Sequence, residues 1–211
     1  GLALVCSVKG YKLLLTMSEA VSQERQKILK ARGADILLTP GHLGTDGAIE
    51  EAYRLTRENP EKYFITDQFN NEYNWRSHYY GTAEEIWEQT KGQVSTVVAT
   101  LGTTGTVMGI SRKLKEYKPD IRIVGVEPYL GHKIQGLKNM KEAYQPEIFE
   151  KKRLDKKINI DDEIDRYNYN RYYIVEVFDL NVAGDTYNNE ILKSKKIKMD
   201  LYNKIATVGV L

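Results

Sequence analysis

The chain has 211 residues, of which 31 are basic and 29 acidic, so its net charge is only +2. This length suffices to bury a core, in one large domain or two small ones. Charges of both signs are mixed along the chain, without the basic footprint of a nucleic-acid-binding protein or a membrane-surface patch, so neither nucleic acid nor a membrane is an expected partner. Cys6 is the only cysteine, which excludes an intramolecular disulfide and predicts a reducing, cytoplasmic compartment.

The first nine residues are mainly apolar and lack both a basic n-region and an initiator Met, so we predict a helix entered partway and a fragment of a longer protein. Lys9 followed by Gly10 is typical of a helix end with its C-terminal glycine. The alternative interpretation is a desolvated, nucleophilic Lys9.

Residues 12–66 alternate between short apolar runs and amphipathic segments. The expected strands are 12–16, 36–39 and 63–65, and the expected helices are 22–32, with Ser22 as N-cap, and 47–57 after a Gly-rich loop at 40–46. Strands separated by helices predict a parallel sheet covered on both faces.

Residues 67–80, D-Q-F-N-N-E-Y-N-W-R-S-H-Y-Y, combine aromatic rings with amides and a histidine. The segment is too polar for a strand and too rich in Asn for a good helix, so we predict a loop. Such a loop can line a pocket, or it can be a packed linker between two α/β halves. A helix over 82–91, with Thr82 as N-cap, is expected to follow.

Residues 95–126 carry the pattern of a βαβ unit. An apolar run at 95–101 meets a Gly/Thr loop, a helical pattern with Val107, Ile110 and Leu114 on one face follows, and a second apolar run spans 121–126.

The loop at 102–106 has the composition of a phosphate site. Glycines allow close approach of backbone N–H groups, threonines add hydroxyls, and a helix begins at the same point. The loop lacks a P-loop lysine and G-x-G-x-x-G spacing, so neither ATP nor NAD is favoured. The alternative is a tight turn without a ligand. The three histidines are far apart in sequence, so no metal site is expected.

Several segments, in chain order, resemble motifs of the cysteine synthase (O-acetylserine sulfhydrylase) family, which are pyridoxal-phosphate enzymes of fold type II. The matching segments are M-S-E at 17–19, S-Q-E-R at 22–25, Q-F-N-N at 68–71 followed by Asn74, H-Y at 78–79, G-T-T-G-T at 102–106, G-V-E-P at 125–128 and G-H-K-I-Q-G at 131–136. They are collinear over residues 1–160, and G-T-T-G-T favours a B-type isoform.

The resemblance implies an α/β fold of two open parallel-sheet domains with helices on both faces, like tryptophan synthase β, truncated at the N-terminus. The expected domains are a smaller mobile one at 1–67 and a cofactor-phosphate domain at 68–160. After residue 163 the sequence departs from the family pattern and becomes rich in Tyr, Asn, Lys and Ile, so 161–211 is expected to be a divergent tail.

The resemblance also implies the site residues. The pyridoxal 5′-phosphate group would be held by Gly102, Thr103, Thr104, Gly105 and Thr106. The amino-acid substrate would lie beside Gln68 and Phe69, with Gly136 at the pocket mouth. Lys138 is hypothesised to favour an anionic group such as phosphoserine, the alternative being a solvated lysine. The family's Schiff-base lysine is expected upstream of Gly1, so no catalytic residue is predicted in this chain.

The reaction implied is a β-replacement that converts O-acetylserine or O-phosphoserine and sulfide into L-cysteine. The implied partners are the small-molecule amino-acid substrate, sulfide and a second subunit of a homodimer, and the implied cofactor is pyridoxal 5′-phosphate (PLP). The alternatives are a PLP enzyme resembling cystathionine β-synthase or a dehydratase, and a non-catalytic α/β binding protein.

Overall fold

A computed structural model describes residues 1–161 and the backbone of 176–178. These residues form two compact units, one of residues 1–67 and one that begins at Gln68. Expectations for the rest of 162–211, including most of the divergent tail, lie outside the described residues. In the part that is described, no helix is long and apolar enough to span a bilayer.

The first unit alternates helices and strands as predicted. Its elements are α1 (Leu2–Lys9), β1 (Leu13–Ser18), α2 (Gln23–Ala31), β2 (Ala34–Thr39) and α3 (Gly44–Glu58). The two strands pair in parallel from Leu13 opposite Ala34 to Ser18 opposite Thr39. Helix α1 ends at Gly10, whose φ of 74° lies in the left-handed region that favours glycine, so the predicted helix end is confirmed.

Three expectations for the first unit need correction. No strand forms at 63–65, where Phe64 is 89% exposed and so has no sheet face to cover. Helix α3 begins three residues earlier than expected, directly after a 3₁₀ turn at Gly41–Leu43. Strand β1 runs over Leu13–Ser18 rather than 12–16, and its residues are half-buried except for the buried Ser18.

The second unit contains the predicted βαβ crossover. Its elements are α4 (Glu72–Ser77), a π-helical turn (His78–Thr82), α5 (Ala83–Gln89), β3 (Thr96–Thr100), α6 (Gly105–Tyr117), β4 (Arg122–Pro128), a 3₁₀ turn (Lys151–Arg153), β5 (Lys156–Ile160) and β6 (Glu176–Phe178). The sheet order is β5-β4-β3-β6. Strands β3, β4 and β5 are parallel, and β6 is antiparallel to β3.

The apolar face of α6 forms the centre of this unit's core. Val107, Ile110 and Leu114, the three residues predicted to share a face, are 0% exposed. They pack in one cluster with side chains from β3 and β4, including Val97 and Ile123. Each fully buried side chain of this size contributes about 1.5–3 kcal/mol through removal from water.

Residues 67–80 are largely helical, which corrects the predicted loop. The Asn71 side chain accepts a hydrogen bond from the Tyr73 N–H at 3.0 Å and so caps α4. Thr82 is not an N-cap, because its backbone is helical (φ −52°, ψ −41°) and continues the π-helical turn. The asparagines that argued against a helix therefore include the residue that starts one.

Helices α4 and α6 approach each other at Gly109. A Cβ at that position would lie 2.3 Å from the Trp75 carbonyl oxygen and 2.6 Å from the His78 Cβ. Since real Cβ atoms essentially never come that close to other heavy atoms, this crossing requires glycine in the middle of α6.

Both tryptophans of the chain lie in the second unit. The Arg112 guanidinium lies 4.1 Å from the ring centroid of Trp75, a cation–π contact. Trp87 stacks on Tyr117 with a centroid distance of 4.8 Å. These contacts join α4 and α5 to the side of α6.

Candidate functional site

The turn between β3 and α6 has an unusual backbone. Thr104, the N-cap of α6, has a φ of 68° and a ψ of −5°. A β-branched residue in this left-handed region is an outlier that costs about 1–3 kcal/mol. The surrounding structure therefore holds the turn in one conformation.

The first turn of α6 presents backbone donors that have no partner within the helix. The Met108 N–H donates to the Thr104 carbonyl at 2.9 Å, so the N–H groups of residues 105–107 precede the first hydrogen bond of the helix and have no partner inside it. This turn contains no acidic residue. The positive end of the helix dipole is thus left for another anion.

The Thr104 hydroxyl supports the presence of a ligand at this turn. Its Oγ1 is buried and has no hydrogen-bond partner among the described residues, and the residue is 3% exposed. A buried polar atom without a partner costs about 1–3 kcal/mol. Backbone N–H groups and neutral hydroxyls at a helix N-terminus fit a phosphate group, so the predicted cradle at 102–106 has the donor set that PLP requires.

Asn74 on α4 connects this loop to the predicted substrate segment. Its Nδ2 donates to the Gln68 carbonyl at 2.6 Å and to Thr103 Oγ1 at 3.0 Å. Its Oδ1 lies 1.9 Å from where a Cβ on Gly105 would be. Only glycine at position 105 leaves room for this amide.

His78 contacts the loop from the π-helical turn. Its Nε2 lies 3.3 Å from Thr106 Oγ1, and its Nδ1 lies 3.0 Å from Thr82 Oγ1. Burial lowers the pKa of His78, so the ring is neutral at pH 7. Neither His78 nor Asn74 was predicted as a site residue, and the one sequence signal for them was their position in the segments that resemble the family.

The segment after β4 returns to the same loop. The Gly136 carbonyl oxygen lies 2.6 Å from where a Cβ on Gly102 would be, and the Lys138 N–H donates to the Leu101 carbonyl at 2.8 Å. The structure therefore brings Gly136 and the Lys138 backbone beside the loop. A side chain at position 102 would displace this segment.

The Lys138 side chain is buried in an ion pair. It is 4% exposed, and its Nζ donates to Glu142 Oε2 at 2.8 Å. The alternative of a solvated lysine is therefore wrong, because the ammonium group is buried and paired with a carboxylate. An anion-binding role for Lys138 stays a prediction.

Glu142 binds three residues of the segment after β4 through its carboxylate. It accepts hydrogen bonds from the Asn139 N–H and from His132 Nε2, each at 3.0 Å. His132 Nδ1 accepts from the Ile134 N–H, so in the neutral ring Nε2 carries the hydrogen. Burial alone would raise the pKa of Glu142, but the hydrogen bonds from Lys138, Asn139 and His132 hold it below its usual value.

The predicted substrate residues differ in exposure. Gln68 is exposed, whereas Phe69 is 7% exposed and packs edge-to-face on Tyr144 at a centroid distance of 6.2 Å. Asn74 joins the Gln68 backbone to the phosphate loop. The roles of both residues at a substrate stay predictions.

Known proteins resemble this chain in sequence and in structure. The chain is 46% identical over 171 residues to a cysteine synthase of Aquifex aeolicus, covering 81% of this chain and 52% of that protein. It is 39% identical over 177 residues to a cystathionine β-synthase of Dictyostelium discoideum, covering 77% and 35%. The crystal structure of a cysteine synthase from Entamoeba histolytica matches with a TM-score of 0.67 at 42% identity, over 77% of this chain and 50% of that one.

The chain thus spans about half the length of the cysteine synthases that it matches. The similarity confirms the predicted resemblance and the predicted fold class of parallel-sheet α/β units. Residues 1–177 match the family described as "Pyridoxal-phosphate dependent enzyme". With a family match over most of its length and a relative at 46% identity, the chain belongs to the pyridoxal-phosphate dependent enzymes.

Proposed function

We propose that the protein is a PLP-dependent cysteine synthase, which replaces the β-substituent of O-acetylserine or O-phosphoserine with sulfide to form L-cysteine. The observation that carries the proposal is the N-terminus of α6, where the N–H groups of residues 105–107 have no partner inside the helix and the buried Thr104 hydroxyl has none among the described residues. The similarity to proteins named cysteine synthase supports this choice of reaction.

In this proposal the residues 102–106 hold the phosphate of the cofactor through N–H groups and threonine hydroxyls. When bound, PLP supplies an electron sink for bond breaking and formation at the β-carbon. Gln68 and Phe69 lie beside the amino-acid substrate, and Gly136 lies at the mouth of the pocket. The neutral His78 ring is a hydrogen-bond partner of the Thr106 hydroxyl and adds no charge to the site.

Lys138 is proposed to favour an anionic donor such as O-phosphoserine. Because its Nζ is bound to Glu142, the donor's phosphate would have to share the ammonium group with that carboxylate. The test compares a Lys138→Ala variant with the wild type on O-phosphoserine and O-acetylserine. An unchanged ratio of kcat/KM between the two donors would rule out this role.

A cystathionine β-synthase-like reaction is the second candidate. The similarity to the Dictyostelium discoideum protein supports it. The two candidates differ in the nucleophile, since one uses sulfide and the other homocysteine. Parallel assays on the longest product of the gene, with PLP and either nucleophile, separate them by whether cysteine or cystathionine accumulates.

Cofactor binding is tested by hydrogen exchange of the 211-residue chain with and without pyridoxine 5′-phosphate. This compound carries an alcohol in place of the aldehyde of PLP, so it forms no covalent bond with lysines. Slower exchange at residues 105–107 is the expected result, because their N–H groups would then be hydrogen-bonded. Equal exchange rates in the two samples would contradict the proposed cradle.

A homodimer and a reducing compartment complete the proposal. The homodimer follows from the family resemblance, and the reducing compartment follows from the single cysteine, Cys6. Sedimentation velocity on the longest product of the gene tests the dimer.

A further inference from the structure

The contacts of Asn74 determine the orientation of its side-chain amide, that is, the positions of Nδ2 and Oδ1. The Gln68 carbonyl oxygen accepts only, so the atom that faces it at 2.6 Å must be the nitrogen of the amide. The opposite orientation would place two acceptor oxygens 2.6 Å apart. The hydrogen-bond chemistry therefore assigns Nδ2 to the side of Gln68.

This orientation fixes the polarity of the next hydrogen bond. Nδ2 carries two hydrogens and no acceptor lone pair, and it also lies 3.0 Å from Thr103 Oγ1. Asn74 must then donate to Thr103, and Thr103 must accept. The Thr103 hydroxyl consequently does not donate to Asn74, and its hydrogen points in another direction.

We propose that Asn74 is a positioning residue that makes the Thr103 hydroxyl a donor to the phosphate group in the cradle at 102–106. This inference rests on the proposed function and deepens it. A phosphate monoester accepts hydrogen bonds. It therefore binds a threonine hydroxyl whose hydrogen points toward it and is repelled by one whose hydrogen is donated to another group. The chain uses a neutral amide here, so the loop gains this donor without a further positive charge.

The close approach of Asn74 to Gly105 supports the same assignment. Its Oδ1 occupies the space that a Cβ at position 105 would need, so the amide is held against the start of α6 with little freedom to turn. The donor polarity of Thr103 is thus built into the packing of α4 on α6.

The test measures how strongly the chain prefers a phosphate ester over the corresponding alcohol. Dissociation constants of pyridoxine 5′-phosphate and pyridoxine are determined by calorimetry on the 211-residue chain, and their ratio reports the phosphate contribution alone. In Asn74→Asp a carboxylate oxygen replaces Nδ2 and reverses the bond to Thr103. We expect this ratio to fall about tenfold, the value of one hydrogen bond to a charged group.

The control is Asn71→Asp, the same substitution three residues earlier. Asp is as good an N-cap as Asn, so this variant keeps the cap of α4 while adding the same charge. Its preference for the phosphate ester should stay within about twofold of the wild-type value. An equal loss of this preference in both variants would show that the added charge alone causes it, which would overturn the proposal. An unchanged preference in Asn74→Asp would overturn it as well.

A double-mutant cycle checks that Asn74 acts through Thr103. Thr103→Val alone should lower the preference for the ester about tenfold, and adding Asn74→Ala should then lower it little further. A second, equal loss in the double variant would refute the inference. A wild type that binds both compounds equally would instead refute the proposed cradle itself, so the two failures are distinguishable.

Discussion

Replacing Gly109 with alanine should destabilise the second unit by about 2–3 kcal/mol. In an open helix the same change stabilises by up to about 1 kcal/mol. Here the new Cβ would lie 2.3 Å from the Trp75 carbonyl oxygen and 2.8 Å from the Tyr79 nitrogen, both backbone atoms. Reaching ordinary contact requires α4 to move by about 1 Å, and overpacking of this kind costs about 1–3 kcal/mol. The contacts of Asn74 and His78 with the phosphate loop would weaken as well.

The matched control is Gly81→Ala, since a Cβ at position 81 has no heavy atom within 4 Å. The free energies of unfolding of both variants and the wild type are measured in urea by far-UV circular dichroism. Gly81→Ala should be neutral or slightly stabilising. Equal stabilities of the two variants, within about 0.5 kcal/mol, would refute the close packing of α4 on α6.

Three further predictions concern the site. Gly102→Ala should weaken binding of pyridoxine 5′-phosphate about tenfold in calorimetry, because its Cβ would displace the Gly136 carbonyl; wild-type affinity would contradict this contact. Glu142→Gln should lower stability by about 2–4 kcal/mol in urea at pH 7, because it leaves the buried Lys138 ammonium without its carboxylate. The pKa of Glu142 is lowered in the folded state, so its stabilising effect exists above pH 4.5 and disappears as the pH falls through the lowered value; a difference from the variant that does not shrink as the pH falls below 4.5 would argue against this pairing. The pKa of His78 is also lowered, so the wild type should lose stability below pH 6.5 relative to His78→Gln; parallel pH profiles would contradict the burial of a neutral ring.

The central βαβ unit was predictable because its signals are local and agree with one another. Two apolar β-branched runs flank a segment whose apolar residues recur at helical spacing, and the helix face of Val107, Ile110 and Leu114 is fully buried as expected. The glycines and threonines between them have few other uses at a strand-to-helix turn. The strand-to-helix turn at 102–106 could therefore be located from the sequence pattern, whereas its phosphate-binding role stays a prediction.

Helix α4 was not predictable in the same way. Asn-rich sequences form helices poorly on their own, and this one is stabilised by a cap at Asn71 and by its packing against Gly109 of α6, more than 30 residues away. The site contacts of Asn74 and His78 depend on that packing. Tertiary contacts of this kind leave no periodic signal in the sequence.

Strand β5 was missed for a similar reason. Its sequence, K-K-I-N-I, begins with two lysines and has no clear apolar run. Asp155, just before it, accepts a hydrogen bond from the Ile123 N–H at 2.7 Å and pairs with Lys115, and so holds the strand beside β4. The position of β5 thus depends on its backbone pairing with β4 and on a long-range polar contact, neither of which its composition indicates.

The placement of Trp75 and Trp87 makes tryptophan fluorescence a probe of one unit. Both indole rings contact side chains of α6 in the second unit, whereas residues 1–67 contain no tryptophan. Emission changes during unfolding will therefore follow the unfolding of the second unit, while circular dichroism follows the helices of both units. Coincident transitions would show that the chain unfolds as one cooperative body, and separate transitions would give each unit its own stability.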